Sequence, residues 1–466
     1  MKRKSIALLL TVAMAVSMFV GCGSTETATE TTEVKETITE EDVVAAEEIV
    51  AQDASSLEGV SITFWHGMSG TNGEALETLV AKFNEENEYG ITVVSEYQGD
   101  YDDTITKLKS AQMGNMGADL VQIYDIGTSF MIDSGWITPM QTLIDADGFD
   151  VSAIEENIAA YYSVDGSLYS MPFNSSTPLL YYNVDMFEAA GITEVPTSLE
   201  GIGEIGEALI NEGGATQAIS IGVYGWYFEQ FMGKQGVSLV NNGNGREGLA
   251  TAVEFDSNGG ALALLTQWNE LCDAGIAPNV GDYDAAVANF SAGSSAIAFA
   301  STASLKSILN DVGDKFEVGT AYFPTVSEGD EGGVSIGGAS LWALNNGDSA
   351  KSAVTWQFVK FLVNAESQAY WNAATGYFPV TTEAQNEQVY IDNMTAYPQF
   401  QTAIEQLHDS APEYAGALLS VFSETRVVVE AEIENMLNDL QSPEEAVDAI
   451  AEQVNELIED YNLVNG

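Results

Sequence analysis

Apolar positions along the chain follow two alternating patterns, short runs and helical repeats. Short runs rich in β-branched and aromatic residues predict β-strands at residues 61–65, 91–97, 119–124 and 296–300. Apolar residues at the helical spacing i, i+3, i+4 and i+7 lie between these runs and near the C-terminus, as at Leu76, Leu79, Val80 and Phe83. Strands that alternate with helices are typical of an α/β fold with a parallel sheet. The 466 residues are enough for more than one unit with its own core.

The first 22 residues have a different pattern, which is typical of a secretion signal. Basic residues at positions 2–4 precede an uncharged apolar run at positions 6–20, and Cys22 follows directly after Gly21. The run is shorter than the ~20 residues with which a helix spans a bilayer. This layout resembles a bacterial lipoprotein signal. The resemblance implies that residues 1–21 are removed and that Cys22 carries lipid, which would anchor the protein on the extracellular face of the cytoplasmic membrane.

Residues 23–57 have the composition of a solvated segment. They contain ten acidic residues, one Lys and no aromatic residue. Because such a segment can bury little apolar surface, we predict an acidic, disordered tether over residues 22–57 and a folded part from residue 58 onward. A helical stretch near residues 40–52 is compatible with the composition but would be marginal alone.

The charge of the chain excludes several classes of partner. It has 70 acidic and 14 basic residues, with a formal net charge of −56. Nucleic-acid binding depends on Lys and Arg that neutralise phosphates, and a protein surface that grips anionic lipid needs a basic patch. The two histidines, His66 and His408, lie far apart and no HExxH motif occurs, so a zinc site is not expected. We predict no metal, no cofactor and no nucleic-acid partner.

Several motifs then occur in the order in which a known family carries them. They are Trp65-His66, GDYDD at 99–103, QIYDIGT at 122–128, YSMPFNSSTPLLYYNVDMFEAAGI at 169–192, IGGASLWAL at 336–344 and TGYFPVT at 375–381. With these motifs the chain resembles the extracellular solute-binding proteins of ABC importers, in the family that carries sugars and glycerol phosphates. The first three motifs together most resemble the members that bind glycerol-3-phosphate.

The resemblance implies a fold, a partner and a role. The fold is the two-lobed α/β fold of type II periplasmic binding proteins, with a ligand cleft between the lobes. The implied lobe 1 comprises residues 58–174 and 298–344, and the implied lobe 2 comprises residues 175–297 and 345–466. Members of the family bind a small solute and deliver it to the membrane permease of the importer, and they catalyse no reaction.

Tyr101, Asp125 and Arg426 carry most of the ligand chemistry that the resemblance implies. Tyr101 lies in the GDYDD turn, where the glycerol-3-phosphate binders have a ligand-contacting Tyr. Asp125 follows a predicted strand, and a carboxylate at the carboxyl end of a strand can accept hydrogen bonds from substrate hydroxyls. Arg426 matches the family's phosphate-contacting Arg, and its forked donors suit a phosphate. The alternative for Arg426 is a structural salt bridge to Glu424 or Glu430.

The remaining candidate ligand residues are Ser175, Ser176, Trp226, Gly338 and Tyr377. The serine hydroxyls suit phosphate or sugar oxygens, although Ser also favours turns for local reasons. Trp226 either covers the apolar face of glycerol or a sugar, or belongs to the core. A glycine at position 338 would let backbone N–H groups approach a ligand closely. Tyr377 matches a ligand-contacting Tyr of the family.

We therefore predict a lipid-anchored substrate-binding subunit of an ABC importer that captures glycerol-3-phosphate or a glycerophosphodiester. Within the same class, the alternative ligand is a sugar or an oligosaccharide. In another class, the alternative is a surface hydrolase that uses Ser335 or a pair of carboxylates. Residues 333–337 match the G-x-S-x-G pattern, and His408 could complete a triad. That motif requires a strand, a tight turn and then a helix, whereas an apolar run that reads as a strand follows Ser335.

Overall fold

A computed structural model of the protein describes residues 38–114 and 117–465. The strands, numbered along the chain, are β1 (Ser61–His66), β2 (Thr92–Tyr97), β3 (Leu120–Tyr124), β4 (Ser163–Val164), β5 (Ser167–Leu168), β6 (Met171–Ser176), β7 (Pro178–Asn183), β8 (Gln217–Ser220), β9 (Ser295–Ser301), β10 (Val318–Tyr322) and β11 (Gly337–Ala343). The helices before β9 are Glu40–Val50, Ala54–Leu57, Gly70–Glu86, Tyr101–Gln112, Thr128–Asp133, Met140–Asp147, Glu156–Tyr162, Val184–Ala189, Leu199–Asn211, Gly225–Lys234, Gly260–Asp273 and Tyr283–Ser291. The helices after β9 are Leu305–Val312, Ser349–Leu362, Ala365–Thr375, Gln388–Ala396, Gln399–Asp409, Phe422–Leu437 and Pro443–Asn465. Short 3₁₀ turns lie at Asp125–Gly127, Thr302–Ser304, Thr382–Asn386 and Pro412–Tyr414.

The first sheet has five strands in the order β2-β1-β3-β11-β6. β1 pairs in parallel with β2 and β3, as the alternation of strands and helices predicted. β11 is antiparallel to both β3 and β6, so the sheet is mixed. The local pattern could not predict this, because β11 enters the sheet from a distant part of the chain. Every residue of β3 and of β6 is buried, which fits a central position or coverage on both faces.

The second sheet has four strands in the order β10-β7-β9-β8. β7 pairs antiparallel with β9 and β10, and β8 pairs in parallel with β9. Only Thr177 separates the end of β6 in the first sheet from the start of β7 in the second. The chain therefore passes directly from one sheet to the other at this residue, inside the segment that the motifs predicted to join the lobes.

The helix Glu40–Val50 contradicts the prediction of a disordered tether for part of its length. It packs against the helices Met140–Asp147 and Ser349–Leu362, where Ala46 and Ile49 are buried. The helix begins with a capping box, because the Thr39 hydroxyl accepts from the Asp42 backbone N–H and the Asp42 carboxylate accepts from the Thr39 backbone N–H. The composition allowed a helix near residues 40–52 but did not indicate that it docks, because the docking depends on helices from distant parts of the chain. Residues 51–57 of the predicted tether are also described, and they include the short helix Ala54–Leu57, in which Leu57 is buried. Residues 22–37 of the tether and the signal segment lie outside the described residues.

The lobe boundaries remain a prediction. The packing of several segments differs from the predicted boundaries, because these segments contact the sheet of the other lobe. β9 is hydrogen-bonded within the second sheet, although its last residues fall in the segment assigned to lobe 1. The helix Ser349–Leu362 packs on β1 and β11, and Ala365–Thr375 packs on Gly70–Glu86, so both lie with the first sheet. The C-terminal helices Phe422–Leu437 and Pro443–Asn465 pack on Gly260–Asp273, as expected for lobe 2. Among the residues that the structure describes, no helix is long and apolar enough to cross a membrane.

Candidate functional site

A cavity of about 370 Å³ lies where segments that follow strands of both sheets come together. Its lining residues are Asn72, Tyr101, Asp125, Ser176, Tyr224, Trp226, Asp282, Tyr283, Asp284, Ser301, Ala303, Ser304, Gly338, Tyr377 and Arg426. Asp125 directly follows β3 of the first sheet, and Ser301 is the last residue of β9 of the second. Open α/β sheets place their ligands outside the strand ends in this way. The cavity is therefore the candidate ligand site.

The structure brings seven of the eight predicted ligand residues into this one cavity. They are Tyr101, Asp125, Ser176, Trp226, Gly338, Tyr377 and Arg426. Ser175 is fully buried in β6 opposite Gly338 and does not line the cavity, because successive residues of a strand point to opposite faces. The roles of these residues in ligand binding stay predictions.

Tyr101 is held in place by a buried chain of hydrogen bonds. The Asp100 side chain caps the helix that begins at Tyr101, accepting from the Asp103 backbone N–H at 2.8 Å. The Tyr101 hydroxyl accepts from Asn174 Nδ2 at 2.9 Å and lies 3.2 Å from the Tyr377 hydroxyl. Asn174 in turn accepts from Gln122 Nε2 at 2.7 Å. A network in which each member has a partner fixes the phenol in position, so two hydroxyls reach the cavity together.

Aromatic rings form another part of the cavity wall. Trp226 is 4% exposed, and its ring lies 6.0 Å from the Tyr224 ring in an edge-on arrangement. Tyr283 lies 5.4 Å from Tyr224 on the other side. The Trp226 Nε1 has no hydrogen-bond partner within the described part of the chain, and this buried nitrogen faces Gly337 of β11. The two interpretations of Trp226 are therefore compatible, since it is both buried and part of the cavity.

Glycines in β11 allow the wall to close around the cavity. Gly338 has a φ of +101°, and a Cβ atom there would lie 1.9 Å from the Asn174 carbonyl oxygen. A Cβ at Gly337 would lie 2.5 Å from the Trp226 ring. Position 338 thus requires glycine for its backbone conformation, and position 337 requires it because the Trp226 indole lies so close.

Arg426 has partners that the sequence interpretation did not name. Its Nε and Nη2 donate to the two oxygens of Glu229 at 2.6 and 2.9 Å, and Nη2 also donates to Asp125 Oδ2 at 3.2 Å. The predicted alternative, a structural salt bridge, is present, but its partners are Glu229 and Asp125 and not Glu424 or Glu430. Glu424 pairs with a lysine, and Glu430 accepts from a backbone N–H of the neighbouring helix. Arg426 is thus shared between two acids that are distant in sequence, and it lines the cavity as well.

Burial dominates the pKa values of the two acids in this cluster. It raises the pKa of Glu229 to about 7 and raises that of Asp125, although Arg426 opposes both shifts. The pKa of Arg426 lies above its ordinary value, because the two carboxylates outweigh the cost of burial. One guanidinium stabilises two buried carboxylates incompletely, so the cluster formally carries one negative charge when both acids are ionised.

A second cavity, of about 320 Å³, lies beyond this cluster. Asp125 lines both cavities, while Glu229, Glu413, Tyr161 and Ser335 line only the second. The Asp125–Arg426–Glu229 cluster therefore lies at the junction of the two cavities.

Ser335 does not have the surroundings of a hydrolase nucleophile. Its hydroxyl accepts from Gln230 Nε2 at 2.8 Å, and its backbone N–H donates to Gln230 Oε1 at 3.0 Å. The strand β11, and not a helix, follows it. His408 pairs with Glu155 at 3.3 Å. Ser335 therefore lacks the strand–turn–helix geometry that its five-residue pattern requires.

The sequence interpretation missed several lining residues, and Glu229 beside the cavity. The missed lining residues include Asn72, Tyr224, Tyr283 and Ser304. Asp282 could have been found, because it is an N-cap residue whose carboxylate accepts from the Ala285 backbone N–H. No local signal marks Glu229, since its partner Arg426 lies in a different helix. Within the described residues, no group of His, Cys, Asp and Glu is suited to holding a metal ion.

Comparisons with known proteins agree with this geometry. The sequence profile of bacterial extracellular solute-binding proteins matches residues 78–402. The sn-glycerol-3-phosphate-binding periplasmic protein of Salmonella typhimurium is 30% identical over 425 residues, which is 88% of this chain and 95% of that protein. The chain belongs to the bacterial extracellular solute-binding proteins. This solute-binding protein is accordingly the substrate-binding component of an ABC importer, as its motifs predicted, and its relatives are binding proteins and not enzymes.

Solved structures confirm the two-lobed fold of this solute-binding protein. UgpB from Mycobacterium tuberculosis, in complex with glycerophosphocholine, superposes with a TM-score of 0.74 at 22% identity, covering 86% of this chain and 99% of that one. The substrate-binding protein Lmo0181 from Listeria monocytogenes, in complex with cycloalternan, gives a TM-score of 0.73 at 18% identity, with 86% and 100% covered. The family confirms a location outside the cytoplasm, whereas the lipid on Cys22 stays a prediction.

Proposed function

We propose that this solute-binding protein captures glycerol-3-phosphate or a glycerophosphodiester in the cavity lined by Arg426 and delivers it to the permease of its importer. One observation carries the proposal. Arg426 is the one cation among the residues that line the cavity, and the hydroxyl-bearing Tyr101 and Tyr377 line the same cavity. The Nη1 of Arg426 has no hydrogen bond to the described residues, which leaves donors for a phosphate oxygen.

The other lining residues suit the glycerol part of such a ligand. The Trp226 ring offers an apolar face to the carbon chain. Asp125 and Ser176 provide oxygens that can accept from glycerol hydroxyls. The name of the Salmonella relative, which refers to sn-glycerol-3-phosphate, supports this choice of ligand.

A neutral sugar or oligosaccharide is the second candidate ligand, and one observation favours it. Arg426 already pairs with two carboxylates, so the cluster as a whole is not positive. Carboxylates and aromatic rings together are also a common way to bind sugar hydroxyls and ring faces.

We also propose that the mature chain begins at Cys22 and is held at the membrane by lipid on that residue. The support is the sequence of the signal segment, which ends in Gly21-Cys22.

Isothermal calorimetry on the purified protein with three ligands tests the proposed function. The ligands are glycerol-3-phosphate, glycerophosphocholine and maltose. We expect at least one phosphate ester to bind with saturable heat and more tightly than maltose. Tight binding of maltose with no binding of either phosphate ester would replace the proposal with the sugar alternative.

A further inference from the structure

The cluster at the junction of the two cavities limits the charge that a ligand can bring. Glu229 occupies two of the donors of Arg426 in a bidentate pair, and Asp125 shares one of them. Asp125 and Arg426 are buried and Glu229 is only slightly more exposed, with side-chain exposed fractions of 6%, 9% and 12%. A ligand anion that binds the Nη1 donors of Arg426 therefore meets a guanidinium whose charge Glu229 and Asp125 already offset.

One further cation, Arg246, lies near the second cavity, where its guanidinium donates to the Gly416 and Tyr161 carbonyl oxygens, but it lines neither cavity. Among the described residues that line either cavity, Arg426 is the one basic side chain. The other charged lining residues are acidic, namely Asp125, Asp282, Asp284, Glu229 and Glu413. Asp125 and Glu229 are little exposed, whereas Asp282, Asp284 and Glu413 are exposed. An additional negative charge on a ligand at Arg426 is therefore repelled chiefly by Asp125 and Glu229, because charges shielded from water interact more strongly than charges in water.

Phosphate esters differ by about one charge at neutral pH. The second pKa of a phosphomonoester is about 6, so a monoester is largely a dianion at pH 7.5. A phosphodiester has no second ionisable oxygen and stays a monoanion. We infer that Glu229 is a specificity-determining residue that makes the cleft select phosphodiester monoanions over phosphomonoester dianions. The inference rests on the proposed function and refines it.

The titration of Glu229 supports this selection. Burial raises its pKa to about 7, so part of the population can accept a proton when an anion enters. The titratable and charged groups that face it are Arg426, Asp125, Glu430, Tyr161, Tyr224, Glu413 and Tyr414. A dianion should therefore bind with more proton uptake than a monoanion, and its binding should weaken more as the pH rises above 7.

A matched pair of ligands and a matched pair of variants test the inference. The ligands are glycerol-3-phosphate and its methyl diester, which differ by one methyl group and one charge. The variants are Glu229→Gln, which keeps the shape of the side chain, and the control Glu424→Gln. Glu424 lies on the same helix as Arg426 but pairs with Lys109 at 3.6 Å and is about half exposed. Affinities are measured on the full chain at pH 7.5.

We expect the wild-type protein to bind the diester roughly tenfold or more tightly than the monoester, because the second negative charge of the monoester is repelled by the Glu229 carboxylate. Glu229→Gln should reduce this ratio by roughly tenfold, chiefly by tightening monoester binding. Glu424→Gln should leave the ratio within about twofold, because distant exposed charges are screened. An equal ratio in the wild type and in Glu229→Gln, or tighter monoester binding by the wild type, would overturn the inference.

Proton uptake gives a second readout that needs no variant. Calorimetry of the wild-type protein in buffers with different ionisation enthalpies counts the protons taken up with each ligand. More uptake with the monoester supports the inference, and equal uptake with both ligands contradicts it. If neither ester binds, the inference and the proposed function fail together; binding of both esters with an unchanged ratio overturns the inference alone.

Discussion

Removing Arg426 should reveal how strongly the protein depends on the buried cluster. In Arg426→Met, the three hydrogen bonds to Glu229 and Asp125, at 2.6, 2.9 and 3.2 Å, are lost together. The methionine fills most of the space, so the main effect is two buried carboxylates without a cation. Breaking a buried ion pair by removing one partner typically costs about 3–5 kcal/mol. We expect a loss in the free energy of unfolding within this range at pH 8.

The loss should depend on pH, with a sign that follows from the pKa shifts. Burial already raises the pKa values of Glu229 and Asp125, and without Arg426 they should rise further. A group with a raised folded-state pKa binds more protons in the folded state than in the unfolded state. The stability of the variant should therefore fall as pH rises from about 4, the unfolded value, through the raised folded values. The destabilisation should be smaller at pH 5 than at pH 8.

Urea denaturation followed by tryptophan fluorescence at pH 5 and pH 8 measures both effects. Lys82→Met is the matched control, because Lys82 pairs with Glu366 on the surface and such pairs contribute about 0–1 kcal/mol. The double variant Arg426→Met/Glu229→Gln should recover part of the stability at pH 8. A loss below about 1 kcal/mol at pH 8, or the same loss at both pH values, would refute the reasoning.

Three further predictions concern the cavity wall, the lobes and the anchor. Gly338→Ala should lower the free energy of unfolding, measured by denaturation, by about 2 kcal/mol or more. The reason is that residue 338 has a φ of +101° and that a Cβ there would clash with the Asn174 carbonyl oxygen. A loss below about 0.5 kcal/mol would contradict this prediction. Bound ligand should reduce the radius of gyration in small-angle scattering, since the closed state makes more ligand contacts, and identical profiles at verified saturation would count against closure. Cys22→Ala should leave an unprocessed precursor or release the protein from the membrane fraction, and unchanged size together with unchanged retention would disprove the anchor.

Much of the site was predictable because its residues lie in motifs at strand ends. Tyr101, Asp125, Gly338 and Tyr377 each lie in a short motif of the family, and all four line the cavity. The β-strands were predictable for a similar reason, since a buried strand such as Leu120–Tyr124 is a compact apolar run. The local sequence was therefore enough to predict the positions of individual strands and of the motif residues.

Contacts between distant segments were not predictable from the same signals. Nothing near Glu229 in the sequence indicates that it holds Arg426, because the helix Gly225–Lys234 meets the helix Phe422–Leu437 only in the folded protein. The docking of Glu40–Val50 was missed for the same reason, since its few apolar residues gain stability only from the partner helices. The direction of β11 was likewise set by long-range pairing. Tertiary contacts decided each of these features.

A crystal structure of the complex with glycerophosphocholine would test the central claim most directly. The distance between the phosphate oxygens and the Arg426 guanidinium is the quantity to measure. We predict a phosphate oxygen within about 2.7–2.9 Å of a guanidinium nitrogen, with the ligand in the cavity lined by Tyr101, Trp226 and Tyr377. A ligand bound outside this cavity, or a phosphate with no contact to Arg426, would contradict it.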